Sequence, residues 1–374
     1  MIIGIASADY VRADDNISFK EGWGGSGFAR IGQYLPFMRA AGHTVVAGVL
    51  QAHYSSTLAD RHITHLEIEY AVGSTVAPDL ILAQRLMLRN IDEAFIAARK
   101  AGQIVVSDVD DWYWGLSPEN FAFKVTHPKN SPEENIVHYK KSISKSSYIT
   151  TSTPFLRDRV AEFSGVPTSL IKNYVDVSRF KKVEITDTTT PEVGWVGSTL
   201  HRSGDLETMR GILAPMAARG DIKLVHAGDG DDAPSFRSKI SAPDDIPIRT
   251  IPKCRTQDYP KLIDFETGIV PLRDTPFNEA KSELKGLEYS ASGVPFVAGS
   301  LPSYDILHKD WTALGSAGFF VAKKSAHWIA AINKMRDPSL RRDLQASVLE
   351  NVKTRDISIG AKEFVGFLEN CKPR

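Results

Sequence analysis

The sequence predicts an α/β protein with two doubly wound, Rossmann-like domains, and three observations support this prediction. Short apolar runs alternate with helix-like segments along most of the chain, which is typical of parallel sheets covered by helices. A polar, threonine-rich break at 187–191 interrupts the alternation. The length of 374 residues exceeds what one hydrophobic core usually organises. We therefore expect one domain at 1–178 and another at 179–354, joined by a linker around 176–191.

Composition and charge exclude several classes of protein. Hydrophobic residues make up 42% and charged residues 24%, as in ordinary globular proteins. Lys plus Arg and Asp plus Glu both number 45, which argues against a partner held mainly as a polyanion. Cys254 and Cys371 match no metal-ligand spacing, and we expect them to be bystanders in a reducing compartment. There is no signal-peptide pattern and no membrane-spanning run, so we expect a cytoplasmic protein.

The first domain opens with a strand, a glycine-rich loop and a helix. Residues 1–8 form an apolar run typical of a buried strand. Gly24, Gly25 and Gly27 follow it and precede apolar residues at helical spacing. Such glycines let backbone N–H groups approach a ligand at a helix N-terminus, although many glycine-rich turns are only tight turns. Arg30 either contacts a phosphate or is exposed, and exposure is the commoner outcome for an arginine.

Three aspartates follow a buried strand of the first domain. The apolar run at 103–106 leads into Asp108, Asp110 and Asp111. Ligands of open α/β sheets bind at the carboxyl ends of the strands, so these side chains are candidates for the wall of an active site. Two alternatives remain open, namely a role in capping the loop and, with the least weight, a metal site. The aromatic residues at 112–114 either stack on a ligand ring or pack against the protein.

Residues 276–299 carry the most informative pattern in the chain. We predict a polar turn, a helix of about a dozen residues, a Gly-Val-Pro break and a short apolar strand. One helix face is apolar and one is polar. The apolar face comprises Ala280, Leu284, Leu287 and Ala291, and the polar face comprises Asn278, Lys281, Lys285, Glu288 and Ser292.

The two lysines of the polar face point to an anion. Lys281 and Lys285 would be like charges one turn apart near a helix start, where the macrodipole already favours negative charge. A bound phosphate removes both objections, because helix N-termini and lysines both bind it. The alternative, given about equal weight, is a solvated face with a Lys285–Glu288 ion pair worth a few tenths of a kcal/mol.

The segment Glu288–Ala298 resembles the donor-site motif of GT-B glycosyltransferases, in particular their large retaining group. In that group a glutamate at the position of Glu288 binds the ribose of a nucleotide sugar. The usual pattern has an earlier glutamate, but Ala280 stands at that position here and Glu279 is one place away. The form AKSELKGLEY, preceded by Asn278, instead resembles a subgroup common in bacterial and phage sequences.

Other segments are similar to the same family in chain order. Residues 169–176, SLIKNYVD, resemble the end of the first GT-B domain, and Trp195–Ser198 resembles the first loop of the donor domain. The glycine-rich loop resembles the one that covers the donor in that family. The resemblance implies two Rossmann-like domains facing a central cleft, with the helix at 355–374 packing back on the first domain.

The resemblance also implies a reaction and its participants. A sugar would pass from a nucleoside-diphosphate sugar to a hydroxyl group of a glycan, protein or modified DNA base, with retention of configuration and without metal or cofactor. Nucleic acid would take part only as an acceptor. The residues expected to contact the donor are Gly24, Gly25, Gly27, Gly197, Ser198, Asn278, Lys281, Ser282, Lys285 and Glu288. Those expected to act in catalysis are Lys281, Lys285, Asp110 and Asp111.

Two other functions fit the same sequence. A sugar-nucleotide epimerase of the GT-B fold would share the donor domain but would need acid and base carboxylates and no acceptor. A non-catalytic binding protein would hold a nucleotide sugar or glycan without ever releasing the nucleoside diphosphate. Product analysis with and without acceptor separates the three.

Overall fold

The computed structural model describes residues 1–11, 22–55, 62–200, 204–230 and 234–374. The chain divides into two compact units. The first unit comprises 1–114, 123–173 and 357–374, and the second comprises 115–122 and 174–356. The segment 176–191, which the sequence analysis proposed as a linker, lies in the second unit.

The strands of the first unit are β1 (Ile2–Ser7), β2 (Tyr10–Val11), β3 (Gly22–Trp23), β4 (Thr44–Ala47), β5 (Val49–Tyr54), β6 (Ile63–Ala71), β7 (Ser74–Val76), β8 (Leu80–Gln84), β9 (Ile104–Val109), β10 (Tyr148–Thr151) and β11 (Thr168–Leu170). Those of the second are β12 (Glu192–Val196), β13 (Lys223–Asp229), β14 (Ile248–Pro252), β15 (Thr267–Val270), β16 (Phe296–Gly299) and β17 (Phe320–Ala322).

The α-helices, in chain order, are α1 (Gly25–Arg30), α2 (Leu35–Ala40), α3 (Ile91–Lys100), α4 (Phe121–Thr126), α5 (Ile136–Ile143), α6 (Pro154–Ser164), α7 (Leu213–Ala218), α8 (Phe236–Ile240), α9 (Pro276–Glu279), α10 (Leu284–Ala291), α11 (Pro302–Thr312), α12 (Ser325–Lys334), α13 (Pro338–Asn351) and α14 (Ile357–Asn370). Short 3₁₀ turns lie at Gly32–Tyr34, Tyr113–Gly115, Val177–Arg179, Leu206–Met209, Thr256–Leu262 and Val352–Arg355.

Each unit contains a parallel sheet whose strand order reverses once. In the first unit the order is β11-β10-β9-β8-β1-β4, and in the second it is β14-β13-β12-β15-β16-β17. The reversals lie between β1 and β8 and between β12 and β15, and all pairings within both sheets are parallel. The predicted doubly wound α/β class is therefore confirmed. Such reversals are where open α/β sheets bind their ligands.

The first unit also holds a small antiparallel sheet that the sequence analysis did not anticipate. Strands β5, β6 and β7 pair in that order. Because Gly48 lacks a side chain, the chain can leave β4 directly into β5. A Cβ at this position would lie 2.1 Å from the carbonyl oxygen of Glu69. The apolar run at 44–50 is thus divided between two sheets.

Several predicted helices are interrupted. The one expected within 276–299 is α9 and α10, separated by residues 280–283. The segment 205–218, whose apolar residues have helical spacing, is a 3₁₀ turn followed by α7, with Gly211 at φ +73° between them. The helix expected after the glycine-rich loop is α1, a 3₁₀ turn and α2. Apolar periodicity indicates which face is buried, but it does not report such local breaks.

The end of the chain packs on the first unit. The rings of Tyr34 and Phe364 lie edge to face at 5.0 Å. His43 Nε2 lies 3.2 Å from Glu369 Oε1, and the Tyr148 hydroxyl donates to the Lys372 carbonyl oxygen at 3.2 Å. Helix α14 is therefore part of the core of this unit. Within the described parts of the chain, every helix is too short or too polar to cross a bilayer.

Candidate functional site

The second unit presents a helix N-terminus at the strand-order reversal of its sheet. Strand β15 leads through α9 into α10, and β12 ends beside it at Gly197. Parallel strands place all these carboxyl ends at one edge. The expected continuous helix is wrong here, because residues 280–283 leave the helical path. The break starts α10 at Leu284, so the helix N-terminus lies at the sheet edge.

Helix α10 is fixed to the sheet by close packing. The buried hydroxyl of Tyr289 accepts a hydrogen bond from the Val196 N–H at 3.2 Å and donates to the Ile269 carbonyl oxygen at 3.3 Å. These contacts join the helix to the ends of β12 and β15. A Cβ added at Gly286 would lie 2.8 Å from the Phe296 ring, so only glycine allows this approach. The exposed face of α10 is thereby held in place.

Two lysines and a serine flank the start of α10. Lys281 and Ser282 precede the helix, and Lys285 lies in its first turn; all three are half-buried. Lys281 Nζ lies 4.3 Å from the centre of the Phe277 ring, and Lys285 Nζ lies 5.9 Å from that of Tyr259. The two lysines are therefore not an i, i+4 pair on one helix, as the sequence suggested. They stand on either side of a helix N-terminus.

Tyr259 joins Lys285 to Glu288. Its hydroxyl donates to Glu288 Oε2 at 2.7 Å and lies 3.4 Å from Lys285 Nζ. The phenol therefore bridges the two side chains for which the sequence suggested a direct ion pair. Tyr259 comes from the 3₁₀ turn after β14, so a segment distant in sequence orients the carboxylate of Glu288.

The Asn278 side chain forms hydrogen bonds to other residues of the second unit. The side chain is 4% exposed, and its amide donates to Asp205 Oδ1 at 2.7 Å and to the Arg273 carbonyl oxygen at 2.8 Å. Asp205 also accepts from the Arg273 N–H at 3.0 Å. These bonds fix the loop between β15 and α9. Asn278 acts as a positioning residue for the lysines that follow it.

Gly197 and Ser198 lie at the end of β12, close to the loop after β13. Gly197 has φ +145°, and its N–H donates to the Ala227 carbonyl oxygen at 2.8 Å. A Cβ added at Gly228 would lie 3.3 Å from Gly197 N. The Ser198 hydroxyl oxygen accepts a hydrogen bond from the Leu200 N–H at 3.2 Å. Two backbone turns thus lie in contact at the same edge as α10.

The corresponding edge of the first unit carries a charged network. Arg85, just after β8, donates from Nε to Asp110 Oδ1 at 2.9 Å and from Nη1 to Asp9 Oδ2 at 3.1 Å. Arg85 Nη2 also donates to Asp110 Oδ2, and it lies 3.7 Å from Asp111 Oδ2. Burial alone would lower the pKa of Arg85, but Asp110 and Asp9 are among the groups that outweigh it, so the pKa is raised. Asp110 is therefore paired with Arg85, while Asp111 is held less closely.

The glycine-rich loop packs against this network. Helix α1 begins there, and the Gly27 N–H donates to Asp9 Oδ2 at 2.9 Å. A Cβ at Gly24 or Gly27 would lie 3.2 or 2.7 Å from Asp9, whereas one at Gly25 would meet no described atom within 4 Å. The Gly27 N–H, which the sequence predicted to contact the donor, is thus bonded to the carboxylate of Asp9. Of the three glycines, Gly25 has the most open surroundings.

Arg30 and Asp108 form a buried pair. Their side chains are 2% and 0% exposed, and the guanidinium makes two bonds to the carboxylate, at 2.7 and 3.2 Å. Arg30 also donates to the Ile171 carbonyl oxygen and to Asn173 Oδ1. The expectation that Arg30 is exposed is wrong. Asp108 is too enclosed to meet an acceptor and serves to position the strand end.

The aromatic residues after the aspartates pack within the first unit. Trp114 stacks on Tyr139 with ring centres 5.6 Å apart, and Trp112 lies 6.3 Å from Phe155. Trp114 also donates to the Ile136 carbonyl oxygen at 3.2 Å. Of the two roles considered from the sequence, packing is the one these contacts support.

Sequence reasoning missed four residues of these two edges: Asp9, Arg85, Asp205 and Tyr259. For Arg85 a signal existed, since a charged residue follows a buried strand directly. The others carry no local mark. It also missed a cluster of His53, His65 and Glu67, whose ligand atoms lie within 4.8 Å of one another. Antiparallel pairing of β5 and β6 brings these residues together, so no local spacing in the sequence marks them.

Comparison with known proteins gives structural likeness without sequence likeness. No protein-family model matches the chain, and no curated protein matches it at a significant level. Its fold is similar to that of sucrose-phosphate synthase from Thermosynechococcus elongatus, with a TM-score of 0.64 and 14% identity over 98% of each chain. Anabaena HepE in complex with UDP and glucose has a TM-score of 0.59 and 14% identity over 99% of each chain.

A third similar structure is a trehalose-6-phosphate synthase studied for glycosyltransfer with retention. Its TM-score is 0.50 with 12% identity, and the match covers 79% of this chain and 74% of that one. The likeness to the first two proteins extends over nearly the whole of both chains and includes both parallel sheets. The protein therefore has the GT-B fold, as the motif at Glu288–Ala298 predicted.

Proposed function

We propose that the protein is a glycosyltransferase that moves a sugar from a nucleoside-diphosphate sugar to a hydroxyl acceptor. The observation that carries this proposal is the start of α10 between Lys281 and Lys285, at the strand-order reversal of the second sheet. A helix N-terminus and two ammonium groups are suited to a diphosphate. HepE, with the same fold, binds UDP and glucose.

Each donor-side residue then has a chemical role. Lys281 and Lys285, with the amides at Ser282 and Ser198, are assigned to the diphosphate, while Gly197, whose N–H is bonded to Ala227, shapes the turn that presents Ser198. Negative charge grows on this leaving group as the glycosidic bond breaks, so these groups stabilise the transition state more than the ground state. Glu288, oriented by Tyr259, is assigned to the ribose hydroxyls, which donate to its carboxylate.

On the first unit we assign Gly25 to the donor and Asp111 to the acceptor hydroxyl. Gly24 and Gly27 support the loop through their contact with Asp9. Asp110 is engaged by two nitrogens of Arg85, so it orients the edge. Retention of configuration is proposed from the motif, and from likeness to a synthase studied for transfer with retention.

We also propose that transfer needs no metal. Asp108 and Asp110, the Asp-x-Asp pair that suggested one, are each paired with an arginine. A divalent cation at these carboxylates would have to compete with a buried guanidinium. Turnover is therefore expected to survive EDTA. Complete loss of turnover that Mg²⁺ or Mn²⁺ restores would contradict this.

The test begins with a screen of nucleotide sugars for thermal stabilisation. A ligand at about 100 times its dissociation constant adds about 2.7 kcal/mol to stability. The best donor is then assayed for nucleoside diphosphate release with hydroxyl acceptors, and product anomers are read by NMR. Lys281→Ala and Lys285→Ala should each weaken donor affinity and turnover by roughly 10- to 150-fold, the value of a charge-assisted contact.

Lys334 provides a matched control. Lys334 is on α12, and its Nζ lies 5.3 Å from the centre of the Phe320 ring. Lys334→Ala therefore also removes a lysine from an aromatic ring of the second unit. We expect wild-type affinity and turnover from it, and unchanged melting without ligand for all three variants. Wild-type donor affinity in both Lys281→Ala and Lys285→Ala would remove the donor-site assignment. Binding without release of nucleoside diphosphate would favour a non-catalytic protein, and an epimerised donor without acceptor would favour an epimerase.

A further inference from the structure

We infer that the β5–β6 hairpin of the first unit holds a zinc ion on His53, His65 and Glu67. His53 and His65 are directly opposite each other in the strand register, and Glu67 lies two residues after His65 on the same face. This site shares no residue with the proposed donor or acceptor sites. Nothing in the proposed transfer reaction requires it.

Two of the three ligand-atom separations are close to those a zinc ion needs, and the third, between the two histidines, is within 4.8 Å. His65 Nε2 lies 3.2 Å and His53 Nδ1 lies 3.9 Å from Glu67 Oε1. Tetrahedral zinc, bound at about 2.0–2.1 Å, separates its nitrogen and oxygen ligands by about 3.4 Å. The imidazoles are stacked with centres 4.6 Å apart, so small side-chain rotations suffice. Two histidines and a carboxylate leave the fourth position for water.

Thr64 sets the tautomer of His65 that a metal needs. Its hydroxyl donates its single proton to the His53 carbonyl oxygen at 3.2 Å. The same oxygen lies 3.0 Å from His65 Nδ1, and while the hydroxyl donates to the carbonyl it accepts there, which favours the proton of a neutral ring on Nδ1. Histidines that bind metals characteristically donate from their other nitrogen in this way.

The assigned tautomer aims the Nε2 lone pair of His65 at the Glu67 carboxylate. Two acceptors 3.2 Å apart repel each other unless a proton or a cation lies between them. A divalent cation satisfies both lone pairs and that of His53 together. The ion would also fasten β5 to β6.

The experiment uses the full-length protein after metal depletion. Zinc chloride is titrated at neutral pH and followed by isothermal calorimetry, and we expect one equivalent to bind. His53→Ala and His65→Ala should each weaken zinc binding by about 100-fold or more, and Thr64→Val by about 10- to 100-fold. His327→Ala, which removes an exposed histidine on α12, should bind zinc as wild type does. Donor-induced stabilisation should be the same in all variants.

A second measurement needs no variant. Co²⁺ added to the wild-type protein should give the intense visible absorption of a tetrahedral site, and Zn²⁺ should displace it. A spectrum of hexaaqua Co²⁺ would overturn the inference. So would equal zinc affinity in the wild type and His53→Ala, or an equal loss in His327→Ala. In those cases the cluster is an imidazolium–carboxylate pair, and protonation alone explains its geometry.

Discussion

The two parallel sheets reverse their strand order in the same way, but their edges are built from different chemistry. At the reversal of the first sheet, Asp9 after β1 meets Arg85 after β8, at 3.1 Å. At the reversal of the second, Gly197 after β12 lies near α10, which Tyr289 ties to the strand ends. One edge is filled by arginine and aspartate side chains that pair with each other. The other brings backbone N–H groups and lysines to the same position.

This difference separates stability from binding. Removing an ion from the first edge leaves a carboxylate without its partner inside the protein, so folding should suffer. Removing a polar group from the second edge should affect folding little and a bound diphosphate strongly. The same location in two doubly wound sheets thus holds a network of paired ions in one unit and, in our proposal, the groups that bind the diphosphate in the other. Three substitutions test this contrast.

The largest loss in the free energy of unfolding is expected from Arg85→Met. It leaves Asp9 and Asp110 without their guanidinium, and breaking such a pair costs about 3 kcal/mol at the lower end of the range for buried pairs. Arg85 has φ +56°, a strain that an unbranched methionine shares. Urea unfolding measures the change.

Arg89→Met is the control for this prediction. Arg89 pairs with Glu133 at 2.7 Å, but both side chains are more than half exposed, at 58% and 68%. Its loss should cost less than about 1 kcal/mol. Equal destabilisation by the two substitutions would show that the Arg85 network does not hold the first edge together.

A smaller loss in the free energy of unfolding, of about 1–2 kcal/mol, is expected from Gly286→Ala. The new Cβ would lie 2.8 Å from the Phe296 ring and 3.0 Å from that of Tyr304, and this overpacking outweighs the better helix propensity of alanine. Because α10 would shift from the sheet, donor affinity should fall together with stability. Thermal melts with and without the best donor measure both.

Gly366→Ala is the control, and it should change the free energy of unfolding in the opposite direction from Gly286→Ala. This glycine lies within α14, and a Cβ there meets nothing within 4 Å among the described atoms. Alanine should stabilise the protein by up to about 1 kcal/mol and leave donor binding unchanged. A stable Gly286→Ala protein with wild-type donor affinity would mean that the position of α10 does not govern the site.

The smallest effect is expected from Tyr259→Phe. It deletes the hydroxyl that joins Glu288 and Lys285, and one such hydrogen bond is worth about 0.5–1.5 kcal/mol, or roughly 2- to 12-fold in donor affinity. The free protein should melt as before, because the side chain is half-buried and its ring stays in place.

Tyr148→Phe is the matched control, since its hydroxyl bonds the Lys372 carbonyl oxygen in the first unit. It should leave donor affinity unchanged. If Tyr259→Phe lowers the melting temperature and spares donor affinity, the second edge is structural like the first, and the contrast between them fails.

The sequence by itself determined the class of fold and much of the candidate donor edge. Alternating apolar strands and helices predicted two parallel sheets, because buried strands and amphipathic helices have different periods. Residues 276–299 contain the motif that indicated the fold, and Lys281, Lys285 and Glu288 lie on the segment that follows β15 and forms α10. Local order suffices for these features, since a strand, its following loop and its helix are contiguous in the chain.

Tertiary structure decided which charges are engaged and where helices break. Asp108, Asp110 and Asp111 look alike in sequence, but their contacts with arginine differ. Asp108 is buried against Arg30, Asp110 is bonded to Arg85, and Asp111 Oδ2 lies 3.7 Å from Arg85 Nη2. Their partners come from other strands, and only strand order brings them together. His53 and His65 meet for the same reason, through antiparallel register across a hairpin. Periodicity records which residues face the core, but the choice of partner depends on packing between segments distant in sequence.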